Sequence, residues 1–198
     1  MNTTTPTALV IMGRSGCGKG TQAKLLMDYL TAASPEQPIL YIETGKSLRA
    51  FAAGEGHSQQ LVKACMDTGA RTPDFLAVWN WANQLVERFT GKEHIVIDGA
   101  PRSALEAAAL FTAFSFYHSS QPIIIHLDVS AAWATERLVA RGRGDDQELS
   151  DIQERLRWFD TEVAPAIAYF TANPACRVIT VNGERPIETI HQDIVSQL

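Results

Sequence analysis

Apolar residues along the chain fall into short runs separated by stretches of helical periodicity. Leu9-Val10-Ile11-Met12 reads as a buried strand. Ile39-Leu40-Tyr41-Ile42, His94-Ile95-Val96-Ile97-Asp98 and Arg177-Val178-Ile179-Thr180-Val181 read as further strands. Pro122-Ile123-Ile124-Ile125-His126-Leu127-Asp128 shows little alternation, as expected of a strand covered on both faces, and His126 within it reads as a satisfied core histidine. Between the strands, Ala23, Leu26, Met27 and Leu30 recur at helical spacing, and residues 59–66 form a short helical run. Phe75, Val78, Trp79, Ala82, Leu85, Val86 and Phe89 predict a helix with one apolar face, its aromatics in the core. Trp133, Leu138 and Val139 mark another helix, and a long one starting at Glu148 should break or kink at Pro165. Pro186 suits the first position of a terminal helix.

The first strand runs into Gly13-Arg14-Ser15-Gly16-Cys17-Gly18-Lys19-Gly20-Thr21, with a helix after it. Strand, glycine loop and helix together are what a phosphate-binding P-loop requires. Glycines let backbone N–H groups converge on phosphate oxygens, and the helix N-terminus adds partial positive charge. Lys19 can reach the β/γ-phosphate region as a mobile point charge. Gly20 stands where a hydroxyl is usual, and Thr21 brings the hydroxyl one position late, so Mg²⁺ is expected among waters, phosphates and a carboxylate. Asp98 stands at the C-terminal end of its strand, the edge where ligands bind in an open α/β sheet, which makes it a candidate functional residue, the alternative being a strand-ending turn carboxylate.

Composition narrows the class. A chain of 198 residues fits one globular domain with small excursions. Its net charge of −5 argues against a general nucleic-acid binder. No apolar run approaches membrane-spanning length and no basic-then-apolar leader opens the sequence, so no membrane partner and a cytoplasmic location are expected. Cys17, Cys65 and Cys176 form neither a disulfide framework nor a zinc site. Cys17 reads as a passive loop residue, the alternative being a thiol activated by the helix N-terminus.

The Gly-Lys-Gly-Thr-Gln form of the P-loop, followed by Thr44-Gly45-Lys46-Ser47-Leu48-Arg49 and Asp98-Gly99-Ala100-Pro101-Arg102-Ser103, resembles the adenylate kinase family of nucleoside monophosphate kinases. The resemblance implies a P-loop α/β fold of nucleoside triphosphate hydrolase type: a parallel sheet with helices on both faces. It divides the chain into a core (8–42, 73–140 and 147–198), an acceptor-binding excursion at 43–72 and a short lid at 141–146. It implies ATP contacts from Gly16, Cys17, Gly18, Lys19, Gly20 and Thr21, with Arg137 stacking on the donor adenine and Gly183 and Arg185 near it. It implies an acceptor site built from Thr44, Gly45, Arg49, the backbone of Ala70, Arg71 and Thr72, then Gly99, Arg102 and Glu106. Arg102, Arg141, Arg143 and Arg155 would hold transferring phosphate beside Lys19, with Asp98 ordering hydrated Mg²⁺ and no zinc.

Several positions depart from the family pattern, Ala100 among them, where an aromatic is usual. Glu43 and Lys46, three apart, would pair if that segment is helical. Glu106 stands where the family commonly has Gln. Ser103-Ala104-Leu105-Glu106 is also a capping-box sequence, so Glu106 either closes a helix start or faces the acceptor's base. The implied reaction is reversible transfer from ATP to AMP by a monomeric enzyme. GMP, CMP or UMP is the alternative acceptor, and a non-catalytic nucleotide-binding protein is the alternative of another class.

Overall fold

The structure, a computed structural model, describes residues 6–117, 121–141 and 149–198, the side chains of 149–151 and 155 excepted. Strand β1 (Ala8–Gly13) leads through the glycine loop into α1 (Lys19–Ala33). Strand β2 (Ile39–Glu43) passes directly into α2 (Thr44–Ala52), and α3 (His57–Asp67) and α4 (Asp74–Arg88) follow. Next come β3 (His94–Asp98), α5 (Ala104–Phe116), β4 (Ile123–Asp128) and α6 (Ala131–Arg141). Helix α7 (Leu149–Trp158) runs through a π-helical turn (Phe159–Val163) into α8 (Ala164–Ala172). Strand β5 (Arg177–Asn182) and α9 (Ile187–Val195) end the fold.

All five apolar runs form strands of one sheet, in the order β2-β3-β1-β4-β5, and every pair is parallel. Parallel neighbours need crossovers, and the crossover helices bury both faces. Along β1, Leu9 and Ile11 face a cluster with Leu26 and Leu30 of α1, Leu138 of α6 and Ile194 of α9. Ala8, Val10 and Met12 face the opposite cluster, with Trp81 and Leu85 of α4, Leu110 of α5 and Phe170 of α8. Each fully buried Leu or Ile adds about 1.5–3 kcal/mol. No helix among the described residues is long and apolar enough to cross a membrane.

Helix α4 turns much of the expected face inward, with Val78, Ala82, Leu85 and Phe89 all packed on the core, but not the whole of it. Trp81 and Leu85 are buried, whereas Phe75 is 71% and Val86 73% exposed. Trp79 packs instead on Phe51 of α2, ring centroids 5.0 Å apart. The break expected at Pro165 takes the form of the π turn just before it, and Pro165 sits in the first turn of α8. Pro186 stands one residue before α9, as its N-cap. Strand β1 lies between β3 and β4, so the direction of chain progression across the sheet reverses there. Its glycine loop and Asp98 therefore open onto one crevice at the strands' C-terminal ends.

Candidate active site

Gly13 has φ +146°, and a Cβ there would stand 2.5 Å from Leu127 O, so only glycine lets the chain turn this close to β4. Gly18, with φ +95°, is the N-cap of α1. Lys19, the first residue of that helix, folds its ammonium back over the loop, donating to Gly13 O at 2.9 Å and Arg14 O at 2.8 Å. Cys17 is 2% exposed, with its Sγ 3.6 Å from Lys19 Nζ. It is a buried side chain behind the loop.

Arg14 ties the loop to the end of β4, to α7 and to the π turn. Its guanidinium donates to Val129 O, Leu156 O and Asp160 and lies 4.2 Å above the Phe159 ring. The opposite neighbour of Phe159 is His126, stacked at 6.0 Å. His126 does not meet the expectation of a satisfied core histidine: Nε2 is buried without a hydrogen-bond partner, and burial lowers its pKa.

Asp98 is 8% exposed, and Tyr41 donates its hydroxyl to Oδ2 at 3.3 Å. Burial pushes the Asp98 carboxyl above its ordinary value, Glu43 adds to the rise, and Lys19 and Arg102 oppose it. Burial, then the charges of Asp98 and Glu43, hold the Tyr41 phenol far above its usual range, so it remains a donor. A side chain at Gly20 would come within 3.4 Å of Asp98 Oδ2, which places the carboxylate over the first turn of α1.

At the end of β2, Thr44 opens α2, is 6% exposed and donates its hydroxyl to Asp98 O at 3.2 Å. Asn80 of α4 clamps the same turn, donating to Thr44 O at 3.0 Å and accepting from Ser47 Oγ at 2.8 Å. A Cβ on Gly45 would stand 3.3 Å from Arg49 Nη1 and 3.9 Å from Arg102 Nη2, so two guanidiniums converge over that glycine. Arg102 is steadied by Nε donating to Gly99 O at 2.7 Å. The pairing expected between Glu43 and Lys46 is replaced by one between Glu43 and Arg49, at 3.9 Å. Glu43 has extended φ/ψ of −98° and 91°, so helical three-residue spacing does not apply to it.

Ser103 caps α5 as its sequence predicts, accepting the Glu106 N–H at 3.1 Å, a contact worth about 1 kcal/mol. The Glu106 carboxylate, however, is buried and faces Arg71 and Arg102. Burial raises its pKa, while Arg102 and then Arg71 pull it down.

Gly16, Gly18, Lys19, Gly20 and Thr21 line one face of a cleft of about 740 Å³. Gly45, Arg49, Ala70, Thr72, Gly99 and Arg102 line the face opposite. Asp98 stands between them, and Arg137 and Arg141 close one end together with Trp158. Arg137 lies 4.3 Å over the Trp133 ring. Gly183 donates its N–H to Asp128 O, and Arg185 pairs with Asp193 of α9; both belong to the β5–α9 turn rather than to the cleft walls. Residues 142–146 of the expected lid, with Arg143, lie outside the described residues, as does the side chain of Arg155.

Tyr41, Asn80 and Trp158 belong to the site or brace it, and sequence reasoning missed them. The signal for Tyr41 is its two-residue spacing from Glu43 along β2, which puts both on one side of the strand. Nothing local marks Asn80 or Trp158, whose partners are far away in sequence.

The family model for adenylate kinase matches residues 11–175. Adenylate kinase 1 of Nostoc sp. is 29% identical over 192 residues, covering 97% of this chain and 98% of the relative. An adenylate kinase of Trichodesmium erythraeum is 30% identical over 195 residues, covering 96% of each. One of Corynebacterium urealyticum is 30% identical over 184 residues, covering 93% of this chain and 94% of the relative.

Proposed function

The chain belongs to the adenylate kinase family, and we propose that it moves the γ-phosphoryl group of ATP onto AMP, giving two ADP. It is an ATP-dependent phosphotransferase of the nucleoside monophosphate kinase type. The observation carrying the acceptor half is the convergence of Arg49 and Arg102 over Gly45, across one cleft from Lys19. Paired guanidiniums opposite a phosphate loop suit two phosphate chains meeting end to end.

The donor's phosphates lie along the loop N–H groups and the N-terminus of α1. Lys19 exchanges the carbonyls of Gly13 and Arg14 for the β/γ-phosphate oxygens. The monophosphate lies between Arg49 and Arg102, on the turn that Thr44 and Asn80 hold. An acceptor phosphate is already ionised, so no side-chain base is required, and alignment with charge stabilisation lowers the barrier. Arg137 and Arg141, with Arg143 and Arg155 by resemblance, supply the remaining positive charge. Water excluded from the cleft would otherwise take the phosphoryl group.

Asp98 fits a role in holding hydrated Mg²⁺, since it is a buried carboxylate over the first turn of α1 with no side chain at Gly20 between them. Among the described residues no group of three or more His, Cys, Asp or Glu is placed to hold a metal ion, so the other ligands come from phosphates and water. A magnesium ion held there would supply positive charge against the phosphate oxygens of ATP. All three cysteines are free thiols, in keeping with a cytoplasmic enzyme. One chain supplies both walls of the cleft, so a monomer suffices.

Steady-state transfer from ATP to AMP, GMP, CMP and UMP tests this reading, with AMP expected to lead in kcat/KM by about 10-fold or more. The buried Glu106 carboxylate favours GMP as the second reading, because guanine offers N1–H and an amino group side by side. GMP overtaking AMP would install that reading. Transfer to none of the four would remove both.

A further inference from the structure

A carboxylate and a guanidinium meet beside the acceptor end of the cleft. Glu106 is 1% exposed, and its Oε1 has no hydrogen-bond partner. Arg71 places Nη1 3.7 Å from that oxygen while holding Asp74 Oδ1 at 2.5 Å, and its Nη2 lies 3.9 Å from Glu162 of the π turn. At 3.7 Å the two groups attract without sharing a hydrogen bond. Both line a recess walled by Thr44, Leu48 and Asn80. Leu48, Thr72 and Arg102 line this recess and the main cleft alike, so the two are continuous. A buried acceptor without a donor costs about 1–3 kcal/mol, which a group entering the recess would recover.

A carboxylate alone offers only acceptors, and a guanidinium alone only donors. Side by side they offer both, as a single amide would. We propose that Arg71 and Glu106 read the acceptor's base as one unit, Oε1 taking a hydrogen of an exocyclic amino group and Nη1 donating to the ring nitrogen beside it. This rests on the AMP reading above, since adenine carries that amino group next to N1. Arg71 is then a specificity-determining residue through its side chain, beyond the backbone contact its sequence position implies. Asp74 fixes the guanidinium from one side and is itself held by Ser103, whose hydroxyl donates to it at 2.8 Å. Ser103 thus links the start of α5 to the orientation of the reading pair.

The test compares AMP with purine riboside 5′-monophosphate, which carries hydrogen in place of the amino group, as acceptors from ATP. The native enzyme is expected to prefer AMP by about 10²-fold or more in kcat/KM. In Arg71→Leu the preference should fall below about 10-fold, through KM for AMP more than through kcat, because Lys19 and Arg102 are untouched. In Arg71→Leu/Glu106→Gln the neutral amide supplies donor and acceptor together, and the preference should return to within about 5-fold of native. Native enzyme using the two acceptors within about 2-fold of each other would overturn the proposal without recourse to any variant. So would an Arg71→Leu preference equal to native, or a double variant no nearer native than the single. Absence of AMP transfer by the native enzyme would sink the proposed function too, whereas brisk AMP transfer with an indifferent Arg71→Leu removes only the role of the pair.

Discussion

Arg102→Ala is expected to slow phosphoryl transfer by about 10³–10⁵-fold, roughly 4–7 kcal/mol at 1.36 kcal/mol per decade, while the protein stays folded. The guanidinium reaches several of the groups around the proposed acceptor site. Its Nη2 stands near Gly45 and Gly99, its Nε holds Gly99 O, and its charge opposes the burial of both Asp98 and Glu106. Removing it takes charge from the transferring group and lets both carboxyls rise further in pKa. Arg102→Lys keeps the charge but loses the planar fork, so its rate should fall between native and Ala. Steady-state rates with thermal melts of all three proteins check this. A melting curve close to native beside a rate lowered by less than 10-fold would contradict the role given to Arg102.

Lys19→Met comes next in expected effect, about 10²–10³-fold or more in kcat. Met keeps much of the apolar stem and loses the ammonium. In the structure that ammonium satisfies two loop carbonyls, at 2.9 and 2.8 Å. Their loss carries a stability cost of about 1–3 kcal/mol, which is separable from the catalytic loss by melting the variant alone. ATP binding measured by calorimetry should weaken by less than the rate falls, because the loop N–H groups remain. Equal losses in binding and rate would instead mean that Lys19 holds the ground state and the transition state alike.

The sheet was readable from the sequence because each of its strands carries a compact run of apolar residues, with β1 and β3 buried along their whole length. The phosphate loop was readable because glycine spacing and the lysine are local features. The inward face of helix α4 was legible only in part, because Phe75, Val78, Trp79, Trp81, Ala82, Leu85 and Val86 offer apolar positions on more than one face. Only contact with α5 and the sheet selects Trp81 and Leu85, leaving Trp79 to cover Phe51. The Glu43–Arg49 pair lies outside the helical spacing rule because Glu43 is the last residue of a strand. The side chain of Arg71 was invisible to local reasoning, since its partners lie at positions 74, 106 and 162.

In the proposed reaction two nucleotides face each other across the cleft between Lys19 and Arg102. Following ATP labelled at its γ-phosphorus in the presence of AMP tests that most directly. The label should appear in the β-position of the ADP formed from AMP, with two ADP made per ATP consumed and almost no inorganic phosphate. Label released as free phosphate, with AMP left unchanged, would contradict it.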